Sequence, residues 1–371
     1  MLSVFCAPAR YVQGRNATGH LPRELIRLGI GGRCLIVASP TAFKLLNDLW
    51  QAAFAESGIP LDVILFNGEC SQSEIERLVA EARRKGAETL VGAGGGKVLD
   101  TARAVAAVLG KPVACCPTTA ASDAPCSALS VVYTDDGTFE ECLFYPRNPE
   151  LVLVDTTVIA QAPVRQLISG MGDALATRFE AEASRLAFRP NVVGGLSTMA
   201  AAAIADLCYR TLLADGVAAV AAARVGAVTP ALERIVEANT LLSGLGFESG
   251  GLALAHSVHN GLTAAKETHA YLHGEKVAFG TLVQLVLEGR GPSEVNEVLD
   301  FCIRVGLPVT LAQLGLEDLS HPLALAIAAR ALAEGETSHN VVFPLSIESV
   351  AEALFAADAL GRARLKGTLL S

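Results

Sequence analysis

The sequence predicts an α/β fold in two parts. A Rossmann-like domain with a parallel sheet is expected over residues 1–161, and an all-helical domain over 162–371. Three observations carry this. Short apolar runs of strand length alternate with helix-spaced runs through the first part, which is βαβ repetition. A glycine cluster, "GAGGGK" (92–97), follows one such run and opens a helix. Beyond "AQAPVRQ" (160–166) the strand signal nearly vanishes and long Ala/Leu/Glu-rich helical stretches take over.

In order, "CLIVAS" (34–39) is a buried strand, and "AFKLLNDLWQAAFAESG" (42–58) is a helix stopped by Gly58. "LDVILF" (61–66) is the second strand. "SQSEIERLVAEARRKG" (71–86) is a helix with Ser73 and Glu76 in capping-box spacing and Gly86 at its end. "ETLVGAG" (88–94) is a strand, "GKVLDTARAVAAVLG" (96–110) a helix and "PVACCPTT" (112–119) a strand. "SALSVVYTDDGTFEECLFYP" (127–146) breaks the alternation, and Asp136-Gly137 between β-rich runs reads as a hairpin turn. "ELVLVD" (150–155) closes the sheet. Helices then follow at 174–188, 197–216, 230–244, 275–289 and 322–336.

Composition excludes several function classes. With 51% hydrophobic and 18% charged residues among 371, a large core is available and disorder is not expected. A net charge of −9 disfavours a nucleic-acid partner, which calls for clustered Lys and Arg. No uncharged apolar run of about 18 residues is present, so no membrane span is expected. The opening "MLSVFCAPARYVQGR" lacks the layout of a signal peptide. Nine cysteines without a C-x-x-C pair suit reduced, buried thiols in a cytoplasmic protein.

Two features carry chemistry. The glycine cluster leaves backbone N–H groups and the positive end of a helix dipole open to an anion such as a pyrophosphate. It is neither a Walker loop, since Val91 and Val98 stand at required Gly and Ser/Thr positions, nor a strict G-x-G-x-x-G. A tight turn without a ligand is the alternative. Lys97 adds positive charge there, and Asp100 lies in the first helical turn, where a carboxylate suits the dipole. The second feature is "LALAHSVHNGLTAAKETHAYLHGEKVAFG" (252–280), which holds four of the seven histidines: His256, His259, His269 and His273. Asp173 in "ISGMGDALATRF" follows two glycines and opens an apolar helix, which equally suits an N-cap. A single histidine is more often structural than a ligand. The cluster favours at least two functional imidazoles, and a mixed His/Asp set suits Zn2+ or Fe2+.

Taken together, "GAGGGKVLDTARA", "PTTAASDAPCSALSVVYTDDG", "GMGDALATRFEA", "ALAHSVHNGLTA" and "HGEKVAFGTLVQLVLE" resemble the iron-containing alcohol dehydrogenase superfamily, on its NAD-dependent glycerol dehydrogenase branch. The resemblance implies metal-dependent oxidation of glycerol, or a related vicinal diol, to dihydroxyacetone with hydride transfer to NAD. It implies Asp173, His256 and His273 as metal ligands that also meet the substrate, with Zn2+ the expected ion and Fe2+ the alternative. Gly94, Gly95, Gly96 and Lys97, with Asp100 beside them, Thr118, Thr119, Ser127, Leu129 and Tyr133 would line the dinucleotide. Asp123 would hydrogen-bond a substrate hydroxyl, and His259 would assist proton movement. His269 has no role. A small polyol partner and a homo-oligomer, often an octamer in the family, are also implied. Two departures stand out. Ser39 occupies the place where relatives commonly carry a ribose-binding Asp, and Lys44 is not placed to hold a 2′-phosphate instead. Thr177 stands where iron-dependent relatives have a further His. Another polyol dehydrogenase is the alternative. A dehydroquinate synthase-like lyase or a polyol-phosphate dehydrogenase would want more Arg and Lys around Asp123 and His256, and a non-catalytic nucleotide binder would have broken metal ligands.

Overall fold

The computed structural model describes residues 1–367 and divides into two compact units. The first comprises residues 6–162 and 222–244. The second comprises 1–5, 163–221 and 245 onward. The expected division at 161/162 is therefore too simple, because a helical segment from the second half belongs with the sheet.

The first unit is built on a six-stranded parallel sheet with strand order β1-β8-β5-β4-β2-β3. The strands are β1 (Tyr11–Gly14), β2 (Cys34–Ala38), β3 (Leu61–Leu65), β4 (Thr89–Gly94), β5 (Val113–Pro117) and β8 (Leu151–Asp155). Helices α1 (Leu21–Arg27), α2 (Pro40–Ser57), α3 (Gln72–Lys85), α4 (Gly96–Leu109) and α5 (Thr156–Gln161) connect or follow them. β2, β4, β5 and β8 are buried throughout, because both faces of the sheet are covered and a continuous apolar run is stable there. Ile36, Val91 and Leu153 pack with Leu21, Leu25, Trp50 and Phe54 on one face. Leu35, Val37 and Leu90 pack with Leu78, Val98 and Val105 on the other.

Ser39 caps α2, its Oγ accepting from Ala42 N at 3.1 Å. The cap of α3 is Ser71, one residue before the helix, and not Ser73, whose hydroxyl donates instead to Asp135. The hairpin is formed by β6 (Leu129–Tyr133) and β7 (Phe139–Phe144), with Gly137 at φ 86° in the turn. The returning segment contains α8 (Pro230–Glu237), which runs into a π-helical turn, Ala238–Leu242. Polar ties fix it to the sheet. Gln13 Nε2 donates to the Glu233 carbonyl and carboxylate, both at 2.9 Å, and Tyr11 Oη lies 2.7 Å from Thr240 Oγ1.

Among the described residues, the regular structure of the second unit is helical apart from a bridge between Ser3 and Leu196. Its helices are α6 (Val164–Leu186), α7 (Met199–Arg224), α9 (Ser243–Gly250), α10 (Leu254–Leu262), α11 (His273–Leu287), α12 (Pro292–Val305), α13 (His321–Ala331) and α14 (Ile347–Leu365). α7 and α9 each straddle a boundary between the units. α6 and α11 approach closely enough that a Cβ on Gly172 would strike the Gly274 carbonyl, and one on Gly274 would strike the Ser169 carbonyl. Among the described residues, no helix is long and apolar enough to cross a membrane.

Candidate active site

Asp173 does not open its helix. α6 begins nine residues earlier, at Val164, so Asp173 lies in the middle and is fully buried. Gly172 is in the helix interior because α11 lies against it, not because a turn is needed. That contact sets the position of His273, the first residue of α11. The helix start is held by Ser169 Oγ, which accepts from Gly274 N at 3.2 Å, and by Glu275, whose carboxylate accepts from Leu272 N at 2.7 Å. Arg165 in turn grips Glu275 through two 2.7 Å hydrogen bonds.

His256 comes from the first turn of α10. The start of that helix is satisfied from outside. Glu180 Oε1 accepts from Ala253 N at 2.9 Å and from His256 N at 3.0 Å, and Gln284 Oε1 accepts from Ala255 N at 3.1 Å. A carboxylate suits the positive end of the helix dipole.

These elements bring three side chains to one point. His256 Nε2 is 3.3 Å and His273 Nε2 3.0 Å from Asp173 Oδ1. One donor atom from each of the three residues lies within 4.8 Å of the other two. Two imidazole nitrogens and one carboxylate oxygen are the donor chemistry of a divalent zinc or iron site. Thr177, one turn after Asp173, is buried against Gly246, where even a Cβ would come 2.5 Å from the Thr177 methyl. A third imidazole, as a fourth ligand, has no room there.

Charge is concentrated at this point. Burial alone would lower the His256 imidazole, but the carboxylates of Glu180 and Asp173 hold it well above the ordinary histidine value. Burial would raise the Asp173 carboxyl, yet His273 and His256 hold it below the carboxylate range. His259 goes the other way: burial, then His273, Lys276 and His256, push it well below the ordinary value, so it is neutral near pH 7. His259 Nε2 lies 3.1 Å from His273 Nδ1, while its own Nδ1 lies 3.0 Å from Asn260 Oδ1. His269 is exposed and its Nε2 is 2.9 Å from the Thr263 carbonyl, apart from this group.

The first unit places the glycine turn at the end of β4. Gly94 is fixed by packing, since a Cβ there would come 2.8 Å from Val98 and 3.2 Å from Ser39, whereas Gly95 and Gly96 face open space. Among the described residues no side chain caps α4, whose first N–H groups are left for a ligand. Lys97 Nζ pairs with Glu69 at 2.5 and 2.6 Å and lies 5.1 Å from the centre of the Tyr133 ring. Thr118 N donates to the Gly94 carbonyl at 3.0 Å, and Thr119, which follows it, is half-buried like Leu129. Two expected cofactor residues have other duties. Asp100 is buried, ion-paired with Arg103, and accepts from Val131 N at 3.3 Å. It pins the hairpin to α4 and cannot face a ligand. Ser127 is buried, with Oγ donating to the Ala124 carbonyl at 3.1 Å. Asp123 is buried with Oδ2 accepting from Ser243 Oγ at 2.8 Å.

Sequence reasoning missed Glu180, Asn260, Glu69 and Ser243. For Glu180 a signal existed: it stands seven residues after Asp173 in an apolar helical run, hence on the same face. Asn260 simply follows His259 in the chain, whereas Glu69 and Ser243 are brought in by tertiary contacts that no local spacing encodes.

The family model described as iron-containing alcohol dehydrogenase matches residues 8–156. The chain is 49% identical to a glycerol dehydrogenase of Pseudomonas putida, covering 96% of this chain and 97% of that one. It is 46% identical to a glycolaldehyde reductase of Halobacterium salinarum, covering 98% and 99% respectively. The crystal structure of a probable glycerol dehydrogenase from Sinorhizobium meliloti superimposes with a TM-score of 0.91 at 41% identity, covering 97% of this chain and 99% of that one.

Proposed function

The chain belongs to the iron-containing alcohol dehydrogenase family, and we propose that it oxidises glycerol, or a closely related vicinal diol, to the hydroxyketone with NAD as hydride acceptor. The observation that carries this reading is the convergence of Asp173, His256 and His273 on one point, in a chain alike to glycerol dehydrogenases over nearly its whole length.

The donor set fits a divalent ion, with Zn2+ the proposed occupant and Fe2+ the alternative. When bound, the ion would supply Lewis acidity toward an alcohol oxygen, and NAD would supply the hydride chemistry. The chain's own residues do the rest. Asp173, His256 and His273 hold the ion and leave a coordination position for substrate. Asp123, oriented by Ser243, accepts a hydrogen bond from a second hydroxyl and so selects for a diol. Gly94 to Lys97 cradle the pyrophosphate against the start of α4. Lys97 would exchange Glu69 for phosphate oxygens. Thr118, Thr119, Leu129 and Tyr133 flank the remaining dinucleotide, with Ser127 contributing backbone only.

The likeness to a glycolaldehyde reductase favours one second reading, in which the same site reduces a hydroxyaldehyde or hydroxyketone. Assembly as a homo-oligomer is part of the proposal. Sedimentation of the protein as a monomer would remove this part. So is action in a reducing cytoplasm, which nine free thiols suit.

The direct test of the site is His256→Ala. We expect loss of bound metal and of at least about a thousandfold in activity, with the fold retained by circular dichroism. A folded variant with near-normal turnover and metal content would exclude the ligand set.

A further inference from the structure

The two imidazoles of the metal site are each held from behind by a different polar group, His256 by the buried Glu180 and His273 by the half-buried His259. We infer that Glu180 and the chain Glu336–Asn260–His259 are positioning residues that fix His256 and His273 as Nδ1–H tautomers, so that both present Nε2 to the ion. This rests on the metal-site reading above and adds residues that reading does not use.

For His256 the partner is Glu180, wholly buried, with Oε2 2.6 Å from Nδ1. A carboxylate can only accept, so Nδ1 is an N–H; an ion bound between Nε2 and Asp173 would take the place of any proton there, leaving the imidazole as the Nδ1–H tautomer with its Nε2 lone pair on the ion. His273 is held through three residues. Glu336 can only accept, so the Asn260 atom 2.9 Å from it is the amide nitrogen. Asn260 Oδ1 therefore faces His259 Nδ1, which must be the N–H. His259 Nε2 is then an acceptor, and His273 Nδ1 must donate to it. That makes His273 Nε2, 3.0 Å from Asp173, the nitrogen that would meet the ion. Arg330 closes the chain with an ion pair to Glu336. This gives His259 a role in orienting a ligand, in place of the proton transfer expected of it: Asn260 is an amide and ends any proton path through Nδ1.

Glu180→Gln tests the point sharply. Glu180 Oε1 already accepts two backbone N–H groups. The isosteric amide must keep its oxygen there to preserve the start of α10, which turns its NH2 toward His256 Nδ1. The imidazole would then carry its proton on Nε2, aimed at the ion. The measurement is Co2+ affinity of the apo-protein by chelator competition, read from the visible d–d bands, together with Tm. We expect Glu180→Gln to weaken Co2+ binding about 10- to 100-fold and to shift the bands, with Tm of the apo-protein within a few degrees of the parent. Asn260→Ala, which removes the second strut, should weaken binding by about tenfold. Unchanged affinity and spectrum in both variants would overturn the inference. His256→Ala is the reference: if it too binds Co2+ like the parent, the metal-site reading itself fails, whereas loss there with wild-type behaviour in Glu180→Gln and Asn260→Ala defeats only the tautomer argument.

Discussion

Ser39 combines a structural duty with a place beside the cofactor turn. It follows β2, caps α2, and lies against Gly94. An acidic side chain at the end of a strand neighbouring the glycine turn would bind ribose hydroxyls and repel a 2′-phosphate, and Ser39 cannot do so. Asp is as good an N-cap as Ser, so Ser39→Asp should leave stability nearly unchanged. It should raise the preference for NAD over NADP, in kcat/KM, by about tenfold or more, since like-charge contacts of this kind cost several kcal/mol. An unchanged ratio would remove Ser39 from cofactor choice. Lys44 is exposed on the first turns of α2. At this scale the sequence was most legible where a residue acts by its identity. Asp173, His256 and His273 were nameable from the resemblance. Asp100 was misplaced, because its position in the first turn of α4 suits either a ligand or a partner, and Arg103 decides between them only in three dimensions.

At the scale of elements, the spacing of the helices rests on glycines. Gly274 lets the start of α11 lie on α6, and the added methyl of Gly274→Ala would collide with the Ser169 backbone carbonyl, which cannot swing away as a flexible side chain could. Overpacking of this kind costs about 1–3 kcal/mol. The displaced residue is adjacent to His273, so the variant should lose metal affinity along with several degrees of Tm. Parental values for both would show that the close approach is not needed. The strands β2, β4, β5 and β8 were legible because burial on both faces leaves a continuous apolar signature. β1 was not: it is a four-residue edge strand, half-buried, and its Gln13 points to Glu233 from the returning segment. The α6 boundary was misread for a related reason. Glycine before an Asp ordinarily marks a helix start, but here it marks a helix crossing.

At the scale of the whole molecule, the fold class was legible because sheet and helices occupy long separate stretches of chain. The return of residues 222–244 to the sheet unit was not, because an amphipathic helix such as α8 can pack on a sheet or on other helices, and the segment is held by polar ties such as Gln13–Glu233 and Tyr11–Thr240. The central claim is the chemistry proposed above, metal-dependent oxidation of a vicinal diol by this member of the family. It is tested most directly by steady-state turnover of the full chain, stripped of metal and reloaded with Zn2+, Fe2+ or other divalent ions. Glycerol, 1,2-propanediol and ethylene glycol would be offered with NAD and NADP. The account predicts that the stripped protein is inactive, that a divalent ion restores oxidation of glycerol or another vicinal diol with NAD, and that simple monohydric alcohols are poorer substrates. Failure to oxidise any vicinal diol with either cofactor under every ion would contradict it.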